Sequence, residues 1–312
     1  MAHLAPLVAL LGIGALWGLT TPLTKIAVGG GHAAFGIIQW QVAVNILVLG
    51  SICLLRRRTL PMGPAHLRLY LAVGLMGMVL PHSASYTAAA HLPAGVLSVV
   101  LSLVPLFALP VALVLGLERF HPLRGLGLAL GAAGIVVLAL PQLALPQAGA
   151  LIFLVVAALA PLCYAMEGAF VAGFAVRDID AMQTLLGASV VALGAVTPVA
   201  ILTGQVILPP AAPTLAEVAI LAGAVASLMA YTGYVWLLCR AGSVYAAQVA
   251  YLVTGCGVVW SMLLLGERYG NSFWFALILL FGGLFLVQPK AGRHKADVIE
   301  VVKRLPGNGR EA

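Results

Sequence analysis

With only 8% charged residues and 62% hydrophobic ones, this 312-residue chain cannot coat a soluble surface; soluble domains carry roughly 25% charged residues. The net charge of +7 does not point to nucleic acid, because the basic residues lie in short connections and one tail. The four cysteines, Cys53, Cys163, Cys239 and Cys256, stand singly in apolar runs, which argues against a disulfide framework or a CxxC metal site.

Apolar runs of about 20 residues, each long enough to cross a bilayer, predict helices over 4–27, 33–55, 67–89, 94–116 and 122–140, then over 148–173, 180–203, 215–238, 243–265 and 271–288. Helices satisfy their own backbone hydrogen bonds in hydrocarbon, and the short alternating strands of a β-barrel are not visible. The first run has no Lys or Arg before Leu4 and no A-x-A site before Lys25, so it reads as a helix of the mature protein rather than a signal peptide. Gly29–Gly31, Arg56–Arg58 with Pro61 and Pro64, Pro93, Pro141–Pro146 and Pro209–Pro213 punctuate the runs. Residues 289–312 form a polar, basic tail, expected to be disordered or to lie on the membrane surface.

Orientation follows from the basic residues. With the N-terminus in the cytoplasm, fourteen of the sixteen Lys and Arg residues fall on the cytoplasmic side; Lys25 and Arg268 are the exceptions. Ten helices then put both termini in the cytoplasm, and short loops suit a bacterial inner membrane.

The chain also repeats itself. Residues 94–120 and 243–269 align at an offset of 149, placing Glu118-Arg119 on Glu267-Arg268 and Ala133-Gly134 on Gly282-Gly283. Five helices per half is an odd number, so the second half enters the membrane from the opposite side, an inverted repeat of the kind secondary transporters use. The expected division is 1–140 for the first repeat, 141–288 for the second and 289–312 for the tail.

The opening GALWGLTTPLTKIAV with Trp17-Gly18, the helix with Pro105, LGLERF and GAAGIVVLAL, and their recurrence as LLLGERY and FGGLFLVQ together resemble the EamA-type proteins of the drug/metabolite transporter superfamily. The resemblance spans about 4–288. It implies ten helices, often an inner-membrane location, and in many members export of metabolites or amino acids. Thr254 stands where the resemblance expects a proline, so the kink at Pro105 is expected to lack a partner in the ninth helix.

Most helices carry polar stripes that should turn inward, since bare polar groups are costly in hydrocarbon. The candidate cavity residues are Trp17, Thr21, Gln41, Asn45, His82, Tyr86, Tyr164, Glu167, Tyr231, Tyr234, Gln248 and Tyr251. Glu167 is the acidic residue placed clearly within a helix body, a default functional group at such depth; it is the candidate for binding a cationic amine or taking up a coupling proton. His82 is its candidate partner. Lys25 is expected to snorkel to the outer interface, and Glu118-Arg119 and Glu267-Arg268 to form end-of-helix structural charge pairs or gates. The fifth and tenth helices read as peripheral, with Gly127 and Gly131 offering a close-packing face to the body or to a second copy, hence a homodimer.

The expected function is transport of a small organic metabolite such as an amino acid, exported by alternating access. Membrane lipids and the substrate are the expected partners, with protons as candidate co-substrates. A lipid flippase or a membrane enzyme acting on lipid is the alternative, although no HExxH, paired carboxylates or nucleophile motif is present. Gly29–Gly31 is not followed by the Lys-Ser/Thr of a phosphate loop, and no cofactor is expected.

Overall fold

The computed structural model describes residues 4–116, 118, 120–143, 150–173, 179–209, 211–241, 243–246 and 248–287. The basic tail, Arg119, Arg177 and the side chain of Cys239 lie outside the described residues. The described chain is all helical, with eight helices long and apolar enough to cross a membrane and two shorter apolar ones completing the ten segments. They are α1 (Leu4–Gly29), α2 (Ala34–Leu55), α3 (Pro64–Ala89), α4 (Ala94–Val114), α5 (Pro122–Leu143), α6 (Ala150–Gly173), α7 (Ala181–Leu202), α8 (Leu215–Ala241), α9 (Ser243–Ala246 and Val249–Leu265) and α10 (Asn271–Val287). Both the first and the last helix have an end at one pole of the bundle, here the terminal end. The α1–α2, α3–α4, α7–α8 and α9–α10 connections lie at the other, distal end.

The two halves interlock. The first helix of each half packs on the third and fourth helices of the other: α1 on α8 and α9, α6 on α3 and α4. Across the same pseudo-symmetry α2 meets α7, α4 meets α9 and α5 meets α10. Gly18, within the opening Trp-Gly pair, permits the α1–α9 crossing, since a Cβ there would stand 2.7 Å from the Gly257 nitrogen and 2.8 Å from the Val253 carbonyl. The Gly127–Gly131 face is likewise occupied within the chain: a Cβ on Gly127 would meet the Gly283 carbonyl at 2.7 Å, so α10 fills it. Side chains such as Leu54, Leu55, Val114, Leu202 and Phe285 remain exposed on the outside of the bundle, as a lipid-facing surface requires.

Three helices are interrupted. In α3 a π turn spans Leu75–Val79. Pro81 has no N–H to give the Gly77 carbonyl four residues back, and the chain absorbs the defect by widening a turn. In α4 the helix stops at Leu101 and restarts at Val104, because Pro105 cannot bond the Leu101 carbonyl. The equivalent stretch of α9 has no matching break, as expected without a proline at Thr254: Val249–Leu265 is one helix, and the irregularity lies about a turn earlier, at Gln248. Thr254 itself is buried in regular helix, its hydroxyl donating to the Ala250 carbonyl at 3.0 Å.

Candidate functional site

Two constellations stand out, one at mid-bundle and one at the distal end. At mid-bundle, the Tyr86 hydroxyl on α3 donates to Gln41 Oε1 on α2 at 2.6 Å. His82 stacks on the Tyr86 ring, centroids 5.2 Å apart and planes 10° from parallel. Tyr164 on α6 lies within electrostatic reach of Tyr86 and of Glu167 one turn on. Tyr231 on α8 lies within reach of Glu167 and of Tyr234, and the Tyr234 ring meets Trp17 of α1 at 5.7 Å. Eight candidates, from Gln41 through Glu167 to Trp17, therefore form one run of polar and aromatic groups shared by α1, α2, α3, α6 and α8.

Gly77 at the π turn makes room for Glu167. A Cβ on Gly77 would stand 2.7 Å from the carboxyl carbon and from both oxygens of Glu167. Gly77 is thirteen residues from the start of α3 at Pro64, roughly 20 Å along the helix, so the carboxylate reaches the middle of the membrane span. His82 makes no hydrogen bond to Glu167 among the described residues; its ring rests on Tyr86 instead.

Thr21 is buried, and Asn45 is half-buried one turn from Gln41. Gln248 is exposed at the break in α9. Tyr251 turns toward α10, its ring edge-on to Phe281 at 5.6 Å.

The distal end holds Glu267 and Lys25, expected as part of an end-of-helix charge pair or gate and as a snorkelling lysine, together with residues that do not stand out in the sequence. Glu267, in the α9–α10 connection, accepts from Ala94 N at 2.8 Å and Gly95 N at 3.1 Å, the first two N–H groups of α4. The Tyr269 hydroxyl donates to the same carboxylate and accepts from Gly95 N at 3.1 Å. Burial and the adjoining Glu267 carboxylate hold that hydroxyl above the usual tyrosine range. Lys25 does not snorkel to water: its ammonium donates to the Ala89 and Leu92 carbonyls at 2.6 and 2.9 Å, closing the end of α3. The α3–α4 turn is thus held by a cation at a helix C-terminus and a carboxylate at a helix N-terminus, the favourable sense for both dipoles. Nearby, Glu217 accepts from Thr214 N at 2.7 Å, and its other oxygen meets His32 at 2.7 Å. Phe35 N donates to Gln205 Oε1 at 3.1 Å and Trp40 Nε1 to the Ile207 carbonyl at 2.9 Å. Every one of these except the Lys25, Thr214 and Tyr269–Glu267 bonds joins the two halves.

Glu118, the repeat equivalent of Glu267, behaves differently. Each glutamate N–H closes its helix on the carbonyl six residues back, Glu118 on Ala112 at 3.3 Å and Glu267 on Ser261 at 3.4 Å. The backbones match, yet the Glu118 carboxylate pairs with Arg124 of α5, whose Nε donates to the Val287 carbonyl at 2.9 Å. The expected pairing of each glutamate with the arginine beside it is not what positions Glu267; Arg268 is exposed.

A buried polar run between two interlocked inverted repeats defines an integral membrane transporter rather than a soluble or single-span protein. The chain belongs to the EamA-like transporter family, whose model matches residues 4–140 and again residues 151–288; it is a membrane transporter of the drug/metabolite transporter superfamily. No curated protein matches it. A solved structure titled "Crystal structure of protein" is similar in fold, with a TM-score of 0.55 over 90% of this chain and 96% of that one at 18% identity.

Proposed function

We propose that the chain is a secondary carrier that exports a small amphipathic organic metabolite, of amino-acid type, by alternating access across a bacterial inner membrane. Both termini are cytoplasmic in this reading, so the distal end faces outward. The observation that carries it is the unequal use of two equivalent carboxylates. Glu267 ties the second half to the N-terminus of α4 and closes the distal end, while Glu118 is held by Arg124. In the opposite state Glu118 takes the backbone N–H groups at Ser243–Val244, the repeat equivalents of Ala94–Gly95, and Glu267 lets go. Each exchange makes and breaks similar bonds, which keeps the two states close in energy. Substrate binds between the halves, on the run from Gln41 to Trp17, and Glu167 is the candidate for coupling to protons. A homodimer through α5 and α10 is proposed on their lipid-side faces, which carry Val136, Ile278 and Phe285, because the glycine face is already filled.

Counterflow in proteoliposomes tests this. Vesicles preloaded with amino acids, amines or nucleosides should show saturable uptake of one labelled class. Flux that does not saturate would mean a channel; no exchange of any soluble solute, with lipid scrambling by folded protein, would replace the carrier with a flippase.

A further inference from the structure

Among the described residues, no hydrogen-bond donor or basic side chain is joined to the Glu167 carboxylate. The ion pairs lie elsewhere, at His32–Glu217, Arg58–Asp180 and Arg124–Glu118, and the ammonium of Lys25 is committed to two carbonyls at the distal end. A bare carboxylate is strongly disfavoured away from water, so this site is completed either by a proton or by a positive group from outside the protein. What surrounds it suits one chemistry. Gly77 is part of a π turn, and its carbonyl does not receive the usual bond from residue 81, which is proline. The Glu167 carboxylate packs on Gly77 at this turn. Tyr164 and Tyr231 stand within electrostatic reach on α6 and α8, with Tyr86, Tyr234 and Trp17 continuing the aromatic wall.

We propose that Glu167, seated on Gly77 and flanked by Tyr164 and Tyr231, is the receptor for the ammonium group of an organic amine, so that cationic amines are the substrate class of the carrier. A primary or secondary ammonium donates N–H groups to the carboxylate, and its positive charge faces tyrosine rings. The neutral part of the amine lies along the aromatic wall toward Trp17 and Tyr234. The transport half of this proposal rests on the carrier reading above; the binding half can be measured without it.

The test uses the full chain, purified and folded, with 2-phenylethylammonium as probe and its isostere 2-phenylethanol and the acid 3-phenylpropionate as comparisons, binding being read by intrinsic fluorescence at constant pH. The ammonium should bind at least about tenfold more tightly than the alcohol, and Glu167→Gln should erase that margin. Tyr231→Phe should retain most of the binding and Tyr231→Leu should weaken it about threefold or more, since the ring face rather than the hydroxyl is used. Gly77→Ala should displace the carboxylate and also lose the preference. Elution and melting like the wild type establish folding; should Glu167→Gln fail there, Glu167→Asp keeps the charge and should weaken binding while preserving the order ammonium over alcohol. Equal binding of ammonium and alcohol, or wild-type ammonium binding by Glu167→Gln, overturns the proposal. In counterflow, saturable exchange of a neutral solute without ammonium binding would end the amine assignment and leave the carrier. Ammonium binding lost in Glu167→Gln, with no exchange of any solute, would uphold the receptor and end the carrier reading.

Discussion

The two ends of the bundle are built from the same motif and are held differently. At the distal end Glu267 binds the first two N–H groups of α4, and Lys25, His32, Glu217, Gln205 and Trp40 add bonds around it. At the terminal end Glu118 turns to Arg124. The cross-half contacts there include Gln183 Nε2 to the Thr59 carbonyl at 2.6 Å and the pair Arg58–Asp180 at 3.5 Å. That pair is 59% and 44% exposed, and such pairs contribute little, about 0–1 kcal/mol. An inverted repeat can therefore conserve a backbone turn while its side chains take different partners. That inequality, in an otherwise matched frame, is what a two-state gate requires.

Glu267→Ala should disturb the comparison most. It strips the acceptor from two buried N–H groups, costing about 2–3 kcal/mol in melting experiments. It should also speed labelling of a Ser98→Cys probe by an impermeant thiol reagent from the distal side, in a background without native cysteines. Unchanged labelling would mean that the contact does not close that end. Lys25→Met comes next, at about 1–2 kcal/mol, with the same direction of labelling. Because Lys25 and Glu267 hold one turn, the double variant should fall short of the sum of the two.

Tyr269→Phe should cost about 1 kcal/mol, and it carries a pH signature. The Tyr269 hydroxyl is held above the usual tyrosine range by burial and by Glu267. Its contribution is therefore full below about pH 10, where a free phenol still keeps its proton. It is lost as the pH climbs from there through the raised native value. Alkaline melting of the wild type should thus decline more steeply than that of Tyr269→Phe; parallel curves would contradict the assignment.

Glu118→Gln should change melting least, by less than about 1 kcal/mol, because its side-chain partner among the described residues, Arg124, keeps its bond to the Val287 carbonyl. Its effect should appear in turnover, which slows if Glu118 must cap the Ser243–Val244 turn in the other state. A variant that transports at the wild-type rate would leave Glu267 as a lone structural cap and break the symmetry of the gate.

How the polar residues sort themselves shows where reading a sequence stops. Gln41, Tyr86, Glu167 and Tyr231 stood out as polar groups in apolar helices; Tyr86 hydrogen-bonds Gln41, and Tyr231 lies within electrostatic reach of Glu167. Tyr251 and Gln248 stood out for the same reason, yet one packs edge-on to Phe281 and the other is exposed at a helix break. Gly77 drew no notice, although Pro81 four residues on was a visible sign of a disturbed turn there. Glu267 passed for part of a charge pair or gate, and Lys25 for a snorkelling lysine, because an isolated lysine or glutamate near a helix end does not announce which distant helix terminus it will reach.

By itself the sequence determined ten apolar helices, nearly all of their bounds, the membrane as their solvent and the inverted duplication. Each of these is local: a helix in lipid closes its hydrogen bonds within its own span, so length and composition suffice. Tertiary structure alone decided that α1 packs on α8 and α9, that Gly127 belongs to α10 rather than to a second copy, that Glu267 caps α4 while Glu118 does not cap α9 in this state, and that Glu167 lies on Gly77. These depend on which helix faces which and at what height. Apolar faces that suit lipid as well as one another do not encode that choice residue by residue; close packing of small side chains and the few long-range hydrogen bonds make it.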